Sequence, residues 1–295
     1  MISRAALIVN PEAGKGLGRE MGPAVARYLQ ELGLPVEVQN STGPGDVRRK
    51  LRAAMAEGPR VVIVAGGDGT VHEAVNGWME AGGGAPLAVV PVGTGNDFVK
   101  MLDASHDWRE ACWRAARGET RLVDVGKCND FYFANGLGIG FDAQVALEAN
   151  HIDWIRGNAV YGVALAKILA LKHSRPWVKV EHDGQRFETD ITLLTINNGK
   201  VEGGAFVMAP DAEIDDGLFD VVVAKGMGRL GILQLLPQVL KGEHMAHPKV
   251  MQFRTAKLSV ESETPLPIHA DGELTYSGAM KLEIEVLPRI LEVVI

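Results

Sequence analysis

The first 120 or so residues alternate short apolar runs with stretches whose apolar positions recur at helical spacing. Strands are predicted at 5–9, 36–39, 61–65 and 87–90, and helices follow them near 21–32, 46–57, 71–79 and 98–101. Short buried strands that alternate with amphipathic helices are typical of a parallel sheet covered on both faces. The sequence therefore predicts an N-terminal α/β domain.

From about residue 123 the pattern changes to runs of β character, separated by turn dipeptides such as Asp183-Gly184 and Asp271-Gly272. Strands are predicted near 123–127, 130–134, 177–182, 187–196, 218–224, 257–262, 267–270 and 281–287, and helices near 141–149, 152–171 and 230–241. Such dipeptides between strand-like runs indicate hairpins, and hence a mainly antiparallel β domain. We place the two domains at 1–123 and 124–289, and we expect the apolar tail 290–295 to pack back onto the first.

Composition narrows the class of protein. The net charge of −7 and the pI of about 5.7 provide no general basic field for nucleic acid. The apolar stretch 159–171 contains Lys167 and is shorter than the roughly 20 residues that a membrane span needs. The two cysteines, Cys112 and Cys128, have no metal-binding spacing and are expected to be reduced thiols. We expect a cytoplasmic protein whose membrane contact, if any, is peripheral.

Three predicted strands end in glycine-rich turns, at 10–16, 66–70 and 91–97. The carboxyl ends of parallel strands lie along one edge of the sheet, where such folds bind ligands. Glycine lets the backbone approach a ligand, and the helix after each turn directs N–H groups and a positive dipole end towards an anion. A single turn of this kind is equally consistent with tight chain reversal, but three on one edge favour phosphate binding.

Two of these turns contain an aspartate, Asp68 and Asp97. A carboxylate in a phosphate-binding turn repels the ligand, by about 4 kcal/mol at 4 Å and a mid-range dielectric, unless a cation lies between them. Mg²⁺ binds through one or two carboxylates together with water and phosphate oxygens. Each aspartate alone is also typical of a helix N-cap. Their equivalent places in successive units favour a metal.

The C-terminal half has two acidic turns. The segment His269-Ala270-Asp271-Gly272-Glu273 supplies a further acid, although a hairpin turn with solvated acids has the same pattern. The segment 211–218 offers Asp216 and nearby carbonyls to a structural divalent ion, or else is a surface turn. The amphipathic stretch 230–241 is typical of a helix that faces a core, and a contact with a bilayer is the alternative.

The motifs recur in one order over nearly the whole chain. They are Asn10-Pro11-x-x-Gly14, Gly66-Gly67-Asp68-Gly69-Thr70 with Glu73 and Asn76-Gly77, Gly93-Thr94-Gly95-Asn96-Asp97-Phe98, Gly138-Ile139-Gly140-Phe141-Asp142, Ala209-Pro210 with Asp216-Gly217, and Asp271-Gly272-Glu273. At these motifs the sequence resembles the diacylglycerol kinase catalytic-domain family, which includes bacterial lipid kinases and the sphingosine and ceramide kinases. The Gly-Gly-Asp-Gly-Thr motif alone is shared with NAD kinases.

The resemblance implies an ATP-binding α/β domain, a β-sandwich second domain, and transfer of the γ-phosphoryl group of ATP to a lipid hydroxyl. The residues that it implies at the nucleotide are Asn10, Pro11, Gly14, Thr42, Gly66, Gly67, Asp68, Gly69, Thr70, Glu73, Thr94, Gly95 and Asn96. The catalytic group that it implies is Asp68, Asp97, Asp271 and Glu273, with Mg²⁺ held through its waters and with Glu273 as general base. A structural Mg²⁺ site maps onto Asp216 and the carbonyls of Glu213 and Leu218.

Two alternatives remain open at this point. One is a kinase of a soluble substrate that resembles the NAD kinases, although the second glycine–aspartate turn and the Asp-Gly-Glu segment favour a lipid kinase. The other is a regulator that binds nucleotide or lipid without turnover, which the presence of all the acids argues against. The motifs do not identify the lipid.

Overall fold

The computed structural model describes residues 5–102, 104–149, 163, 167–168 and 175–295. The chain divides into two compact units, Met1–Val125 with Pro288–Ile295, and Gly126–Leu287. The helix predicted near 152–171 falls almost entirely outside the described residues. Within the described residues, no helix is both long and apolar enough to cross a membrane.

The first unit is built on a parallel sheet. Its strands are β1 (Ala5–Val9), β2 (Val36–Asn40), β3 (Val62–Gly66) and β4 (Leu87–Pro91), in the order β2-β1-β3-β4. The last strand of the chain, β15 (Glu273–Val294), pairs with β4 in parallel at Val293 and Leu87. Strands β1 and β3 are fully buried, which explains their unbroken apolar runs. The prediction of an N-terminal α/β fold is confirmed.

Five helices connect or flank these strands. They are α1 (Ala13–Glu31), α2 (Asp46–Ala56), α3 (Asp68–Ala81), α4 (Asp97–Met101) and α5 (Trp108–Arg117), and β5 (Thr120–Cys128) follows. Helices α1 and α5 share a buried core with β1, in which Leu29 and Cys112 have no exposed surface. The sequence analysis missed α5, although Asp107 caps its first turn by accepting the Arg109 N–H and Gly118 ends it.

The second unit is antiparallel. Its remaining strands are β6 (Phe131–Phe133), β7 (Gly136–Gly140), β8 (Trp177–His182), β9 (Gln185–Asn197), β10 (Val201–Glu202), β11 (Phe206–Val207), β12 (Phe219–Lys225), β13 (Val250–Thr255) and β14 (Lys257–Ala270). The main order is β13-β12-β9-β7-β14-β15, and β8 pairs with both β9 and β14. The rings of Phe133 and Phe219 stack at 5.5 Å within the shared core. The prediction of a mainly antiparallel second domain is confirmed.

Among the described residues, the helices α6 (Phe141–Ala149) and α7 (Arg229–Lys241) accompany this sheet. The two strands predicted near 257–262 and 267–270 are one strand, β14, whose pairing with β15 is irregular between Glu261 and Leu266. Both cysteines are unpaired and buried, and burial raises the pKa of each thiol to about 12. Thiols of this kind are unreactive.

Candidate functional site

The turn after β1 has an unusual backbone. Gly14, Lys15 and Gly16 all have positive φ, at 60°, 59° and 94°. A side chain on Gly14 would place its Cβ 2.4 Å from the carbonyl oxygen of Val92, so the turns after β1 and β4 touch. Pro11 begins this turn and is half-buried. Gly14 is therefore required both for the conformation and for the close approach, whereas Gly16 is favoured by its positive φ alone.

The turns after β1 and β3 are also linked. Asn10 donates from Nδ2 to Thr70 Oγ1 at 2.9 Å, and its own backbone N–H donates to the carbonyl of Ala65. Gly66 must lack a side chain because a Cβ there would lie 2.2 Å from Thr70 Oγ1. Gly69 follows in the first turn of α3. Asn10, Gly66 and Thr70, three of the residues predicted at the nucleotide, are thus in contact with one another through Thr70.

The turns after β3 and β4 meet backbone to backbone. A Cβ on Gly93 would lie 2.4 Å from the Cα of Gly67. Asn96 has a left-handed backbone with φ of 51°, and its side chain accepts the Gly93 N–H at 3.0 Å and donates to the Gly93 carbonyl at 2.9 Å. Thr94 is exposed and Gly95 half-buried at the end of this closed loop. This geometry leaves the tip of the turn open to a ligand.

Asp68 and Asp97 lie side by side in these turns. The N–H of Asp97 donates to Asp68 Oδ1 at 2.6 Å, and Lys100 Nζ donates to Asp97 Oδ1 at 2.9 Å. Burial of Asp68, together with the nearby charge of Asp97, raises the pKa of Asp68 to about 6. The two carboxylates are hard oxygen donors, the ligand type that Mg²⁺ prefers, and the raised pKa of Asp68 is consistent with a site that favours an added cation.

Thr42 and Glu73 organise the start of α2. Thr42 donates to Asp46 Oδ2 from both its N–H, at 2.9 Å, and its hydroxyl, at 3.0 Å. Glu73 accepts the N–H groups of Gly45, Val47 and Arg48 at 2.7, 3.0 and 3.3 Å. Here a side chain of α3 satisfies the N–H groups at the N-terminus of α2. This capping position fixes α2 beside the glycine turns.

In the second unit, Asp271 anchors the turn between β14 and β15. Its carboxylate accepts the N–H groups of Ala134, Asn135 and Gly136 at 3.1, 2.7 and 3.2 Å. The backbone of Asp271 has φ of 52° and its N–H donates to the Gly136 carbonyl. Glu273, two residues later, is exposed at the start of β15. The turn thus presents Glu273 and uses the Asp271 side chain as an anchor.

A buried cluster of three polar side chains, which the sequence analysis missed, adjoins the turn between β14 and β15. His269 Nε2 is 3.4 Å from Asp142 Oδ2 and 4.0 Å from Glu202 Oε2. A Cβ on Gly138 would lie 2.1 Å from that Asp142 oxygen and 2.2 Å from His269 Nε2, so the glycine makes the contact possible. Asp142 and His269 come together because β7 pairs with β14, and no local sequence pattern contains these two residues and Glu202.

The neighbours of His269 exert opposing influences on its protonation. Burial alone would lower its pKa, but the carboxylates of Asp142, Glu202 and Asp271 outweigh burial and raise the pKa to about 9. The Gly272 N–H opposes them, since it points at Nδ1 from 3.3 Å and Nδ1 can accept only when it carries no proton. In that neutral form the proton is on Nε2, which removes the lone pair that a metal would need. These three side chains have metal-ligand atoms within 4.8 Å of one another, but the hydrogen bond argues for a structural role.

The acidic turn at 211–218 is already in contact with a cationic side chain of the protein, Arg254. Asp216 accepts the Leu218 N–H at 3.0 Å and forms an ion pair with Arg254, which also lies 3.4 Å from Asp220. Burial, together with Asp211 and Glu213, raises the pKa of Asp220 to about 6. The turn therefore has excess negative charge, which fits a divalent cation, but such an ion would compete with Arg254 for Asp216.

Comparison with known proteins agrees with this architecture. The family model for the diacylglycerol kinase catalytic domain matches residues 4–128, and that for the YegS C-terminal NAD kinase beta sandwich-like domain matches residues 136–295. A diacylglycerol kinase of Staphylococcus carnosus (strain TM300) is 30% identical over 294 residues, which cover 99% of this chain and 95% of the relative. A diacylglycerol kinase of Staphylococcus aureus (strain JH9) is also 30% identical, over 99% of this chain and 92% of the relative.

Solved structures show the same fold. A crystal structure from Bacillus anthracis str. Sterne, of a protein assigned to the diacylglycerol kinases, has a TM-score of 0.81 at 26% identity and covers 99% of this chain and 96% of that one. These findings define the class as a two-domain protein of the lipid kinase type. The chain belongs to the diacylglycerol kinase family, with a YegS-type C-terminal domain, and the resemblance read from its motifs is confirmed.

Proposed function

We propose that the protein transfers the γ-phosphoryl group of ATP to the hydroxyl of diacylglycerol or a related lipid alcohol. The observation that carries the proposal is the Asp68–Asp97 pair, which lies among three connected glycine turns at the carboxyl ends of β1, β3 and β4. Backbone N–H groups and helix N-termini in such turns bind phosphate. The two carboxylates beside them have one protein cation, Lys100 at Asp97, and can accept a second, and Mg²⁺ accompanies the phosphates of ATP in phosphoryl transfer.

Each residue has a distinct part in this proposal. Asn10, Gly14, Gly67 and Thr94 belong to the turns that hold the nucleotide. Asp68 and Asp97 hold Mg²⁺ directly or through its waters. Bound there, Mg²⁺ supplies charge neutralisation for the phosphoryl group in transfer.

Glu273 is the proposed general base for the lipid hydroxyl. A carboxylate that takes the proton of the attacking group contributes by general base catalysis, and it must be reachable by substrate. Glu273 is exposed, in contrast to Asp271, whose carboxylate accepts three backbone hydrogen bonds. We therefore assign Asp271 a positioning part in the catalytic group, because it anchors the turn that presents Glu273.

The acidic turn with Glu213, Asp216 and Leu218 is proposed as a second, structural Mg²⁺ site. Supporting it is the cluster of Asp211, Glu213 and Asp220, in which burial and then the two neighbouring carboxylates raise the pKa of Asp220. The proposal requires Arg254 to leave Asp216 when the ion binds. The two buried, unpaired thiols are in keeping with the cytoplasmic location that we propose.

The test is a screen of the purified chain with labelled ATP and Mg²⁺ against diacylglycerol, phosphatidylglycerol, sphingoid bases, undecaprenol and NAD. We expect label in a lipid product and none in NAD. Label in NAD alone would favour the alternative of a soluble-substrate kinase, whose C-terminal fold is named in the family match. Absence of label in every acceptor, with ATP still bound, would favour a non-catalytic regulator.

A further inference from the structure

Helix α7 buries one side in the second unit. Ile232, Leu235 and Val239 are 6%, 4% and 7% exposed and pack in a cluster with Phe141 and Met208. Their spacing of three and four residues places them on one face, which is the core-facing pattern that the sequence predicts. This side of the helix needs no further partner.

The opposite side of α7 is also apolar, and it faces solvent. Leu230, Leu233 and Leu240 are 70%, 50% and 45% exposed, and Pro237 between them is exposed as well. Spacings of three, four and three residues place these four side chains in a single stripe along the helix. We call this stripe the leucine face. Exposed apolar residues scattered singly are ordinary, but a continuous stripe indicates a surface that contacts something.

The charged side chains of α7 and of the segment that leads into it are all basic, although the chain as a whole carries −7. The acid Asp190 lies against Gly226, before the helix, and pairs with Arg175. No acidic residue occurs from 221 to 242, whereas Lys225, Arg229 and Lys241 all lie in that range and are exposed. Lys249, also exposed, accepts the Lys225 N–H at its backbone carbonyl and so adds a further basic side chain at the start of α7. The first acid beyond the helix is Glu243.

We propose that the leucine face is the surface by which the protein docks onto an anionic membrane. The leucines would enter the boundary between head groups and acyl chains, and the basic residues would lie beside lipid phosphates, as in helices that lie in a membrane interface. The proposal goes beyond the function proposed above and rests on it only for the reason why docking is useful, since a lipid acceptor lies in a bilayer. It commits to a membrane and not to a second protein chain.

The direct test measures binding of the full chain to sedimented vesicles, without ATP. Wild type should bind vesicles of phosphatidylcholine with phosphatidylglycerol, and it should bind more weakly to phosphatidylcholine alone and in high salt. The triple variant Leu230→Gln, Leu233→Gln, Leu240→Gln should lose about tenfold or more in partition coefficient, since each leucine brings apolar area into the lipid. The double variant Arg229→Gln, Lys241→Gln should lose most of the preference for phosphatidylglycerol.

Leu122→Gln is the matched control, because Leu122 is an exposed leucine of the first unit, at 48%, and belongs to no site described above. It should bind vesicles like wild type. Circular dichroism and thermal unfolding of all variants should match wild type, since the substituted side chains are exposed. Wild type that fails to bind phosphatidylglycerol vesicles, or a triple variant that binds like wild type, would overturn the proposal.

Two further measurements separate the alternatives. If wild type is a dimer in solution and the triple variant a monomer, a second copy of the chain covers the leucine face and the membrane proposal is wrong. Phosphorylation of detergent-dispersed diacylglycerol should be unchanged in the triple variant and reduced on vesicles. Vesicle binding that survives while no acceptor is phosphorylated would contradict the proposed kinase function and leave the docking surface intact.

Discussion

The two units give an aspartate in a glycine turn opposite surroundings. In the first unit, Asp68 lies against Asp97, and burial together with that second charge raises its pKa to about 6. In the second unit, the carboxylate of Asp271 accepts three backbone N–H groups and ties two chain segments together. Excess charge at Asp68 favours cation binding. The Asp271 carboxylate, whose hydrogen bonds are supplied by the backbone, instead stabilises the conformation of its turn. An Asp-Gly motif alone does not distinguish the two.

The largest expected effect comes from removing the charge of either aspartate in the first unit. Asp68→Asn and Asp97→Asn should each lower kcat by about 1000-fold or more, because the Mg²⁺ that neutralises the phosphoryl charge is then poorly held. The measurement is turnover of labelled ATP with the lipid acceptor from the screen. Asp107→Asn is the control, since Asp107 caps α5 and asparagine caps equally well. Activity within tenfold of wild type in Asp68→Asn would contradict the metal role.

Glu273→Gln should have the next largest effect. The amide cannot take a proton, so we expect kcat to fall by about 100-fold or more while the KM for ATP stays the same. Steady-state kinetics at saturating lipid separate the two parameters. Glu263→Gln, which changes an exposed glutamate of β14, should leave both unchanged. A normal kcat in Glu273→Gln would show that the general base is another group.

A smaller effect is expected from His269, which acts through the turn and not on the substrate. Asparagine can place its Oδ1 near the former Nδ1 and accept the Gly272 N–H, whereas glutamine reaches towards Asp142 and Glu202 instead. His269→Gln should therefore lower kcat by about tenfold without changing the KM for ATP, and His269→Asn should retain most activity.

Hydrogen exchange of the turn tests the same contact without any assay of activity. In His269→Gln the peptide that covers 270–273 should exchange faster than in wild type, and in His269→Asn it should not. Equal exchange in all three proteins would mean that the Gly272 contact does not hold the turn. If both variants lose activity equally, the charge of the imidazole matters more than its acceptor atom.

Much of the first unit could be predicted because its signals are local. Unbroken apolar runs mark β1 and β3, and glycine turns at their ends locate the edge where the proposed site lies. Helix α5 also has local signals, an N-cap at Asp107 and a C-terminal Gly118, but its short amphipathic pattern was not recognised. A closer reading of caps would have found it.

The buried group of Asp142, Glu202 and His269 could not be predicted in the same way. Asp142 and His269 are 127 positions apart in the sequence and meet only because β7 pairs with β14. Likewise, a periodic pattern identifies the buried side of α7 but does not show that the leucines on its other side stay exposed. Both features depend on pairing and packing between distant segments, which a single sequence does not specify.

The smallest expected effects are on stability, and they test directly whether the surroundings of Asp68 and Asp271 differ as described. Above pH 6 Asp68 is charged at a cost, because its pKa is higher in the folded state than the 3.8 of an unfolded chain. Without Mg²⁺ at pH 7.5, Asp68→Asn should raise the free energy of unfolding by about 1 kcal/mol, less than the whole pKa shift implies because solvent reaches this side chain. The gain should shrink as the pH falls from 6 towards 3.8 and should vanish below 3.8, where Asp68 is protonated in both states. Asp271→Asn should instead lower the free energy of unfolding by about 1 kcal/mol or more, since an amide has one acceptor oxygen for three N–H groups.

Urea titrations of both variants, with EDTA and then with Mg²⁺, measure these differences, and Mg²⁺ should reverse the sign only for Asp68→Asn. If Asp68→Asn and Asp271→Asn change the free energy of unfolding in the same direction, the contrast is wrong. One aspartate is then not destabilised by burial beside a like charge while the other is stabilised by backbone hydrogen bonds.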